Sequence, residues 1–97
     1  MLGNVGVQLE RYLTVLSARQ RVTAANIANA DTPGYQTKDV DFRAELKGAM
    51  PAEGGRVVDV QGLTMKNDGN NVSLDRESRM LAENALRFNV AANLMRS

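Results

Sequence analysis

The chain of 97 residues contains no cysteine, no histidine and no tryptophan. Without cysteine it can form neither a disulfide bond nor a thiolate metal site. Without histidine it lacks the commonest general base and the commonest metal ligand, so catalysis would depend on carboxylates, lysine or tyrosine. We therefore expect no enzyme activity, no metal site, no bound cofactor and no small-molecule substrate.

Aromatic residues are also scarce, at 4% of the chain. The apolar residues, 43% of the total, are mainly alanine, valine and leucine, which suit contacts between helices better than a thick globular core. A chain of this length is expected to form one domain over residues 1–97 and to be marginally stable alone.

The chain has no strong charge of either sign, since 12 basic and 11 acidic residues are interspersed. We expect no nucleic-acid partner because a basic stripe is missing. No apolar run approaches the roughly 18 to 20 residues that span a bilayer, so no direct membrane span is expected. The segment from Met1 to Asn4 lacks the features of a cleavable secretory signal, so any export would leave the N-terminus uncleaved.

Residues from Val5 to Ile27 that recur at spacings of three and four predict an N-terminal helix over residues 4–30. Its stripe is apolar up to Leu16 and becomes polar around Arg19 to Arg21. The second half of this helix is therefore expected to depend on partners.

A second helix is predicted over residues 73–96, with Ser73 as the N-cap. Large residues recur every seven positions and small ones follow four later, as in a coiled-coil seam. A further apolar stripe lies on another face, which favours contacts between subunits. The predicted seam residues of both helices are Leu9, Leu16, Ile27, Leu74, Leu81, Phe88 and Met95.

The segment between the helices, residues 31–72, is expected to be irregular. Residues 39–50 predict a short helix that Pro51 ends, followed by a loop at residues 53–55. Residues 56–60 predict a strand that turns at Gln61-Gly62 into a weaker strand at residues 63–65. Residues 67–71 predict a turn. The predicted fold class is mainly α, with the two long terminal helices packed as an antiparallel coiled-coil-like pair around a middle that includes a small β-hairpin.

Residues 28–35 combine several signals that stop a helix. Pro33 cannot continue the helical ladder, and Pro33-Gly34 favours a type II turn because glycine accepts a positive φ. Asn29 and Asp31 can bond to local backbone in place of lost helical partners. Asn26 and Asn29 lie on one helix face, where their amides either bond across an interface or are solvated.

The order of these residues resembles a family signature. Residues 26–35, followed by Lys38-Asp39-Val40-Asp41-Phe42, are similar to the N-terminal signature of the flagellar rod and hook axial proteins. Residues 68–75 and the helix after them are similar to the C-terminal segment of that family. Asp31 before Thr-Pro-Gly-Tyr, with the downstream Asp41-Phe42, favours the proximal rod member. The chain departs from the family pattern at three places. Ala25 stands where members commonly carry asparagine, and Phe88 stands where tyrosine is common. The middle of the chain, between residues 50 and 63, is shorter than is usual in the family.

This resemblance implies a structural subunit of the bacterial flagellar basal-body rod, in its proximal part, that serves motility. Such subunits are exported through the type III apparatus without cleavage and assemble helically in the periplasm. The implied partners are copies of the chain, other rod proteins, and membrane-ring and export-gate proteins at the rod base. The implied subunit-contacting turn comprises Asn26, Asn29, Asp31, Thr32, Pro33, Gly34 and Tyr35.

Two other hypotheses fit parts of the sequence. A cytosolic helical-hairpin adaptor or export chaperone would use the same stripes to bind a partner helix. An enzyme would need the carboxylates of Asp39, Asp41 and Glu45, which we interpret instead as a solvated face paired with nearby basic residues. Asp68-Gly69-Asn70 matches only part of a calcium loop and is interpreted as a turn.

Overall fold

The computed structural model describes residues 2–46 and 56–97. The elements in chain order are α1 (Leu2–Ala28), β1 (Lys38–Val40), α2 (Phe42–Leu46), β2 (Val57–Asp59) and α3 (Leu74–Arg96). Two long terminal helices that pack together, with a small two-stranded sheet between them, confirm the predicted fold class. The C-terminal part of the predicted short helix, its stop at Pro51 and the loop at residues 53–55 lie outside the described residues.

The two long helices run antiparallel. Asn26 near the end of α1 contacts Glu77 near the start of α3, while Tyr12 contacts Arg87 further along. Residues further along α3 therefore contact residues nearer the start of α1. Helix α3 begins as the sequence indicates, because the Ser73 hydroxyl accepts a hydrogen bond from the Arg76 N–H at 3.2 Å.

One side of α1 is covered by β1 and α2. Val15 and Ala18 of α1 pack with Val40 of β1 to form a small buried cluster, which Val22 and Phe42 flank. This cluster holds β1 and α2 in a fixed place against the first helix.

The strand pairing differs from the prediction. β2 pairs antiparallel with β1, with Lys38 opposite Asp59 and these two side chains joined in an ion pair. Residues 63–65 form no strand, so the hairpin turn predicted at Gln61-Gly62 is wrong.

The start of the short helix was also predicted too early. Residues 38–40 form a strand because Val40 is buried against α1. The Asp41 carboxylate then accepts from the Ala44 N–H at 3.2 Å and caps α2, which begins one residue later. Among the helices of the described ranges, none is long and apolar enough to cross a membrane.

Candidate functional site

The first of two turns, at residues 32–35, follows closely after the end of α1. The Tyr35 N–H donates to the Thr32 carbonyl at 3.2 Å, and Gly34 has a φ of 76°. This geometry confirms the predicted type II turn at Pro33-Gly34. The Asn29 side chain donates back to the Ala25 carbonyl at 2.8 Å, so it bonds to local backbone as expected.

The second turn, at residues 67–71, forms just before α3. The Gly69 N–H donates to the Lys66 carbonyl at 2.9 Å, and Gly69 has a φ of 85°. The Asp68 carboxylate accepts from the Asn70 N–H at 3.0 Å, which is a local turn bond rather than a cation ligand. The interpretation of this segment as a turn is confirmed.

These two turns lie against each other. The Gly34 N–H donates to the Asp68 carbonyl at 2.9 Å. A Cβ placed on Gly69 would lie 3.4 Å from the Gly34 Cα, which is an ordinary van der Waals contact, so the positive φ rather than lack of space favours glycine at this position. The Gln36 amide adds a bond to the Gly69 carbonyl at 2.7 Å.

Two neighbouring asparagines fasten the second turn to the first. Asn70 is fully buried, and its amide donates to the Asn29 and Thr32 carbonyls at 2.9 and 2.8 Å. Both carbonyls follow the end of α1 and also accept the N–H groups of Thr32 and Tyr35, so Asn70 adds bonds that join the second turn to the segment directly after α1. The Asn71 side-chain oxygen accepts from the Thr37 N–H at 2.7 Å.

Sequence reasoning missed the role of these two asparagines. It treated Asn70 and Asn71 only as turn formers, although an Asn-Asn pair before a helix N-cap was visible. Their partners lie more than 30 residues away along the chain. The sequence carries no local signal for such a contact.

Asn26, in the last turns of α1, is fully buried where this helix meets β1 and α3. Its amide nitrogen donates to Glu77 Oε1 at 2.7 Å and to the Lys38 carbonyl at 2.8 Å. Its oxygen accepts from the Tyr35 hydroxyl at 2.9 Å and from the Lys38 N–H at 3.0 Å. The structure therefore places Asn26 inside the subunit, where it bonds neither across a subunit surface nor to solvent.

A chain of alternating charges continues from Glu77. Its Oε2 pairs with Arg76 at 2.5 Å, and Arg76 pairs with Asp39 at 3.2 Å. The Asp39 carboxylate also receives two bonds from the Arg19 guanidinium, both at 3.1 Å. Asp39 thus joins α1, β1 and α3, with only 16% of its side chain exposed.

The interpretation of Asp39, Asp41 and Glu45 as a solvated face is therefore wrong. Asp39 is bound by two arginines, Asp41 caps α2 and Glu45 is buried. In residues 2–46 and 56–97 no group of three or more potential ligands is arranged to hold a metal ion.

The burial of Tyr35 has an electrostatic consequence. Burial raises the pKa of its phenol above the ordinary value of 10.0, the positive charge of Lys38 opposes the rise, and the negative charge of Glu77 adds to it. The neutral phenol can therefore keep donating its hydrogen bond to Asn26.

The predicted turn residues fall into two groups. Asp31, Thr32, Pro33 and Gly34 are exposed at the tip of the molecule, while Asn29 and Tyr35 are half-buried. The tip is therefore available for contact, and the residues behind it fix its shape.

The predicted seam is also divided. Leu16 is fully buried between the helices, as expected of a seam residue. The residues of α3 that face α1 most closely are Glu77, Asn84 and Ala91, which are also seven apart. The other predicted seam residues lie at the margin of the helix pair: Leu9, Ile27 and Leu81 are half-buried, and Leu74, Phe88 and Met95 are exposed.

The second half of α1 was expected to lack a firm seam. The structure instead buries Thr23 and Asn26 there, and the Arg19 guanidinium packs over the Phe42 ring at 5.3 Å. Arg19 and Asn26 find hydrogen-bond partners within the chain, so this half of α1 makes firm contacts inside the subunit.

Comparison with known proteins identifies the class to which this arrangement belongs. Residues 13–36, which cover most of α1 and the first turn, match the family described as Flagella basal body rod protein. This match assigns α1 and the first turn to the class of flagellar rod proteins.

Relatives define the family more closely. The flagellar basal body rod protein FlgB of Escherichia coli (strain K12) is 36% identical over 89% of this chain and 80% of the relative. FlgB of Salmonella typhimurium is 35% identical over 91% of this chain and 82% of the relative. FlgB of Borrelia hermsii is 33% identical over 87% of this chain and 82% of the relative. The chain therefore belongs to the FlgB family of flagellar basal body rod proteins.

The alignment with the Escherichia coli protein extends over 112 positions, although this chain has only 97 residues. The relative thus carries residues that have no counterpart here. This length difference is in line with the shortened middle segment noted in the sequence.

Proposed function

We propose that this chain is a structural subunit of the bacterial flagellar rod, located in its proximal part, and that it assembles helically to support motility. The observation that carries the proposal is the amount of apolar surface left on the helix pair. Leu86, Val90 and Leu94 of α3 and Val5 and Val7 of α1 are each more than half exposed. Apolar surface of this extent, grouped on long helices, marks a site of contact with other proteins.

The geometry of the pair supports an assembly mechanism. The interlocked turns fix the end of α1 and the start of α3 at one tip, so the two helices act as one elongated unit. Different faces of this unit meet neighbours, and contacts between unlike faces continue from subunit to subunit when they do not close into a ring. Repeated contacts of this kind build a helical tube.

The exposed tip, Asp31 to Gly34, is proposed to dock on a neighbouring subunit. The predicted seam residues at the margin of the helix pair, among them Leu81 and Phe88, contribute apolar contacts along the sides. The neighbours are copies of the chain, other rod proteins, and membrane-ring and export-gate proteins at the rod base. In this proposal the chain reaches the periplasm by type III export without cleavage.

The test is the location of the protein in the cell. A strain that expresses an epitope-tagged chain in place of the native copy is fractionated, and its basal bodies are purified. We expect the tag in the basal-body fraction, and we expect a deletion strain to be non-motile until the chain is restored. A tag found only in the cytosol would favour the adaptor hypothesis and overturn the rod assignment.

The docking role of the tip has its own test. Asp31→Lys reverses an exposed charge that has no side-chain partner among the described residues, and Asp31→Asn is the matched variant that removes the charge at similar size. Both variants should retain the unfolding midpoint of the original chain, since exposed substitutions seldom change it. We expect Asp31→Lys to reduce motility more than Asp31→Asn, and equal motility of both would count against docking through Asp31.

A further inference from the structure

The second turn contains the one place in the sequence where a glycine directly follows an aspartate or an asparagine, Asp68-Gly69. Asp68 is exposed, and Gly69 has no side chain to shield its backbone nitrogen. In a flexible chain this nitrogen can attack the side-chain carboxyl group of the residue before it. The neighbouring Asn67, Asn70 and Asn71 are each followed by a residue with a side chain, which hinders the same attack.

The reaction needs no reagent other than water. The Gly69 nitrogen loses its proton and forms a bond to Asp68 Cγ, and the hydroxyl group of the carboxyl leaves with that proton as one water molecule. The product is a five-membered succinimide ring. Water then opens the ring: breaking the new bond restores aspartate, and breaking the original peptide bond gives isoaspartate. One water molecule leaves and one enters, so the isomer has the mass of the original chain.

The folded chain holds the peptide unit that must move in this reaction. Its N–H, from Gly69, donates to the Lys66 carbonyl at 2.9 Å, and its carbonyl, from Asp68, accepts from the Gly34 N–H at 2.9 Å. The Asp68 carboxylate is held by the Asn70 N–H at 3.0 Å. The nitrogen can reach Cγ only when the peptide unit turns and its proton is released, so these bonds must open first.

The isomerised product does not fit the same contact between the turns. Isoaspartate lengthens the main chain by one carbon, and the carbonyl that accepts from Gly34 becomes part of a free carboxylate outside the main chain. The added carbon also displaces Asn70, which is fully buried and donates to the Asn29 and Thr32 carbonyls. An isomerised chain therefore loses the bonds that join the second turn to the first.

We infer that Asp68-Gly69 is a site of spontaneous backbone isomerisation that the contact between the two turns suppresses. A chain that folds keeps its aspartate. A chain that stays unfolded acquires isoaspartate at residue 68 and afterwards folds less stably, so the modification marks chains that have remained open. The inference concerns the covalent state of the chain and does not depend on the proposed rod function.

Trypsin allows a direct measurement, because Lys66 and Arg76 flank the site and release residues 67–76 as one peptide. Reversed-phase chromatography separates its aspartyl and isoaspartyl forms, and electron-transfer fragmentation identifies them. The full chain is incubated at neutral pH, folded in buffer or unfolded in guanidinium chloride, beside a synthetic peptide of residues 67–76. We expect the unfolded chain to isomerise as fast as the peptide. The folded chain should isomerise at least about tenfold more slowly, because it reacts only through local opening.

Three variants test the chemistry and the protection separately. Asp68→Glu keeps the charge but would have to close a six-membered ring, so its unfolded chain should give no isomer. Gln36→Ala lies outside the measured peptide and removes the bond to the Gly69 carbonyl at 2.7 Å. Its folded chain should isomerise about fivefold faster, the factor that one lost hydrogen bond gives. Gln8→Ala replaces an exposed glutamine of α1 far from the turns and should leave the rate unchanged.

Each outcome decides the inference. Isomerisation in the unfolded chain that folding slows, and that Gln36→Ala but not Gln8→Ala restores in part, supports it. Equal rates in buffer and in guanidinium chloride overturn the protection, and an unfolded chain that gains no isoaspartate at residue 68 overturns the site. The isomerised chain is finally refolded and titrated with urea. A lower midpoint than that of the aspartyl chain supports the loss of the contact, and an equal midpoint overturns it.

Discussion

The side-chain amide of Asn26 donates to the carboxylate of Glu77 across 2.7 Å, and both residues are fully buried. The two lie 51 positions apart in the chain and belong to opposite terminal helices. This bond ties the end of α1 to the start of α3 directly beneath the interlocked turns. Because a buried carboxylate without donors is strongly unfavourable, the bond holds the two helices in one register.

The first prediction concerns this bond. Asn26→Ala removes four hydrogen bonds and leaves Glu77 with fewer donors, so we expect the free energy of unfolding to fall by about 3 kcal/mol. Urea denaturation followed by circular dichroism measures the change. Asn89→Ala, at an exposed position of α3, is the control and should stay within about 0.5 kcal/mol. Similar midpoints for both variants would show that Asn26 does not stabilise the fold.

A second prediction tests the charge chain through Asp39. Asp39→Asn keeps the shape but leaves Arg19 and Arg76, each about one-fifth exposed, without their shared carboxylate. We expect a loss of about 2 kcal/mol, since removing one member of a partly buried charge pair leaves the other uncompensated.

Glu83→Gln is the matched control for that experiment. Glu83 pairs with Arg87 on the exposed face of α3, where both side chains are about half exposed. Exposed pairs of this kind contribute about 0 to 1 kcal/mol. Chemical denaturation of both variants should therefore separate them clearly, and an equal loss would contradict the central role of Asp39.

The third prediction is a dependence of stability on alkaline pH. Burial raises the pKa of Tyr35 in the folded chain above the ordinary value of 10.0. The folded state then holds the phenolic proton more tightly than the unfolded state does. This stabilisation is complete below pH 10 and is lost as the pH rises through the raised pKa.

Tyr35→Phe isolates that effect from other alkaline titrations. It loses the hydroxyl bond to Asn26, at a cost of about 1 kcal/mol near neutral pH. The difference in unfolding free energy between the original chain and Tyr35→Phe should shrink as the pH rises above 10. A difference that is constant with pH would contradict the prediction.

The fourth prediction concerns the contact between the two turns. Gly69→Ala forces a left-handed conformation on a side chain at a φ of 85° and brings its methyl group against Gly34. We expect the melting temperature to fall, with a cost of about 1 to 2 kcal/mol. Gly62→Ala shares the positive φ and meets no atom within 4 Å, so a similar loss there would show that backbone conformation sets the cost at both positions.

Gly6→Ala should act in the opposite direction. Gly6 lies within α1, has no positive φ, and a Cβ there meets nothing within 4 Å. Alanine at such a helical position stabilises by about 0.5 to 1 kcal/mol. A thermal melt in which Gly6→Ala and Gly69→Ala shift in the same direction would contradict the assignment of strain to the turn.

Much of this architecture could be predicted because its signals are local. Ser73 as an N-cap, the Pro33-Gly34 turn and the long amphipathic segments each depend on residues within a few positions of one another. The order of residues 26–42 and the segment before α3 also indicated the rod family, which the relatives confirm.

The strand pairing could not be predicted in the same way. Residues 57–59 were expected to turn back on residues 63–65, but they pair with residues 38–40. Val40 decides this, because its burial against α1 places β1 where β2 can add to it. The local residue pattern indicates that a segment tends to form a strand. Which strand it pairs with depends on the tertiary packing around it.

The sequence by itself therefore determined two long terminal helices, the positions of the turns that bound them, and membership of the rod family. Only the tertiary structure decided that Asn26 is buried on Glu77 and that Asn70 joins the two turns. It also decided that Glu77, Asn84 and Ala91 face the first helix while most of the larger apolar residues lie at its margin. Helical periodicity marks an apolar stripe, but a polar residue can replace an apolar one at a helix contact when hydrogen bonds within the fold offset its burial, as they do for Asn26 and Glu77. Those bonds join residues far apart in the chain, so they exist only once both ends have folded together.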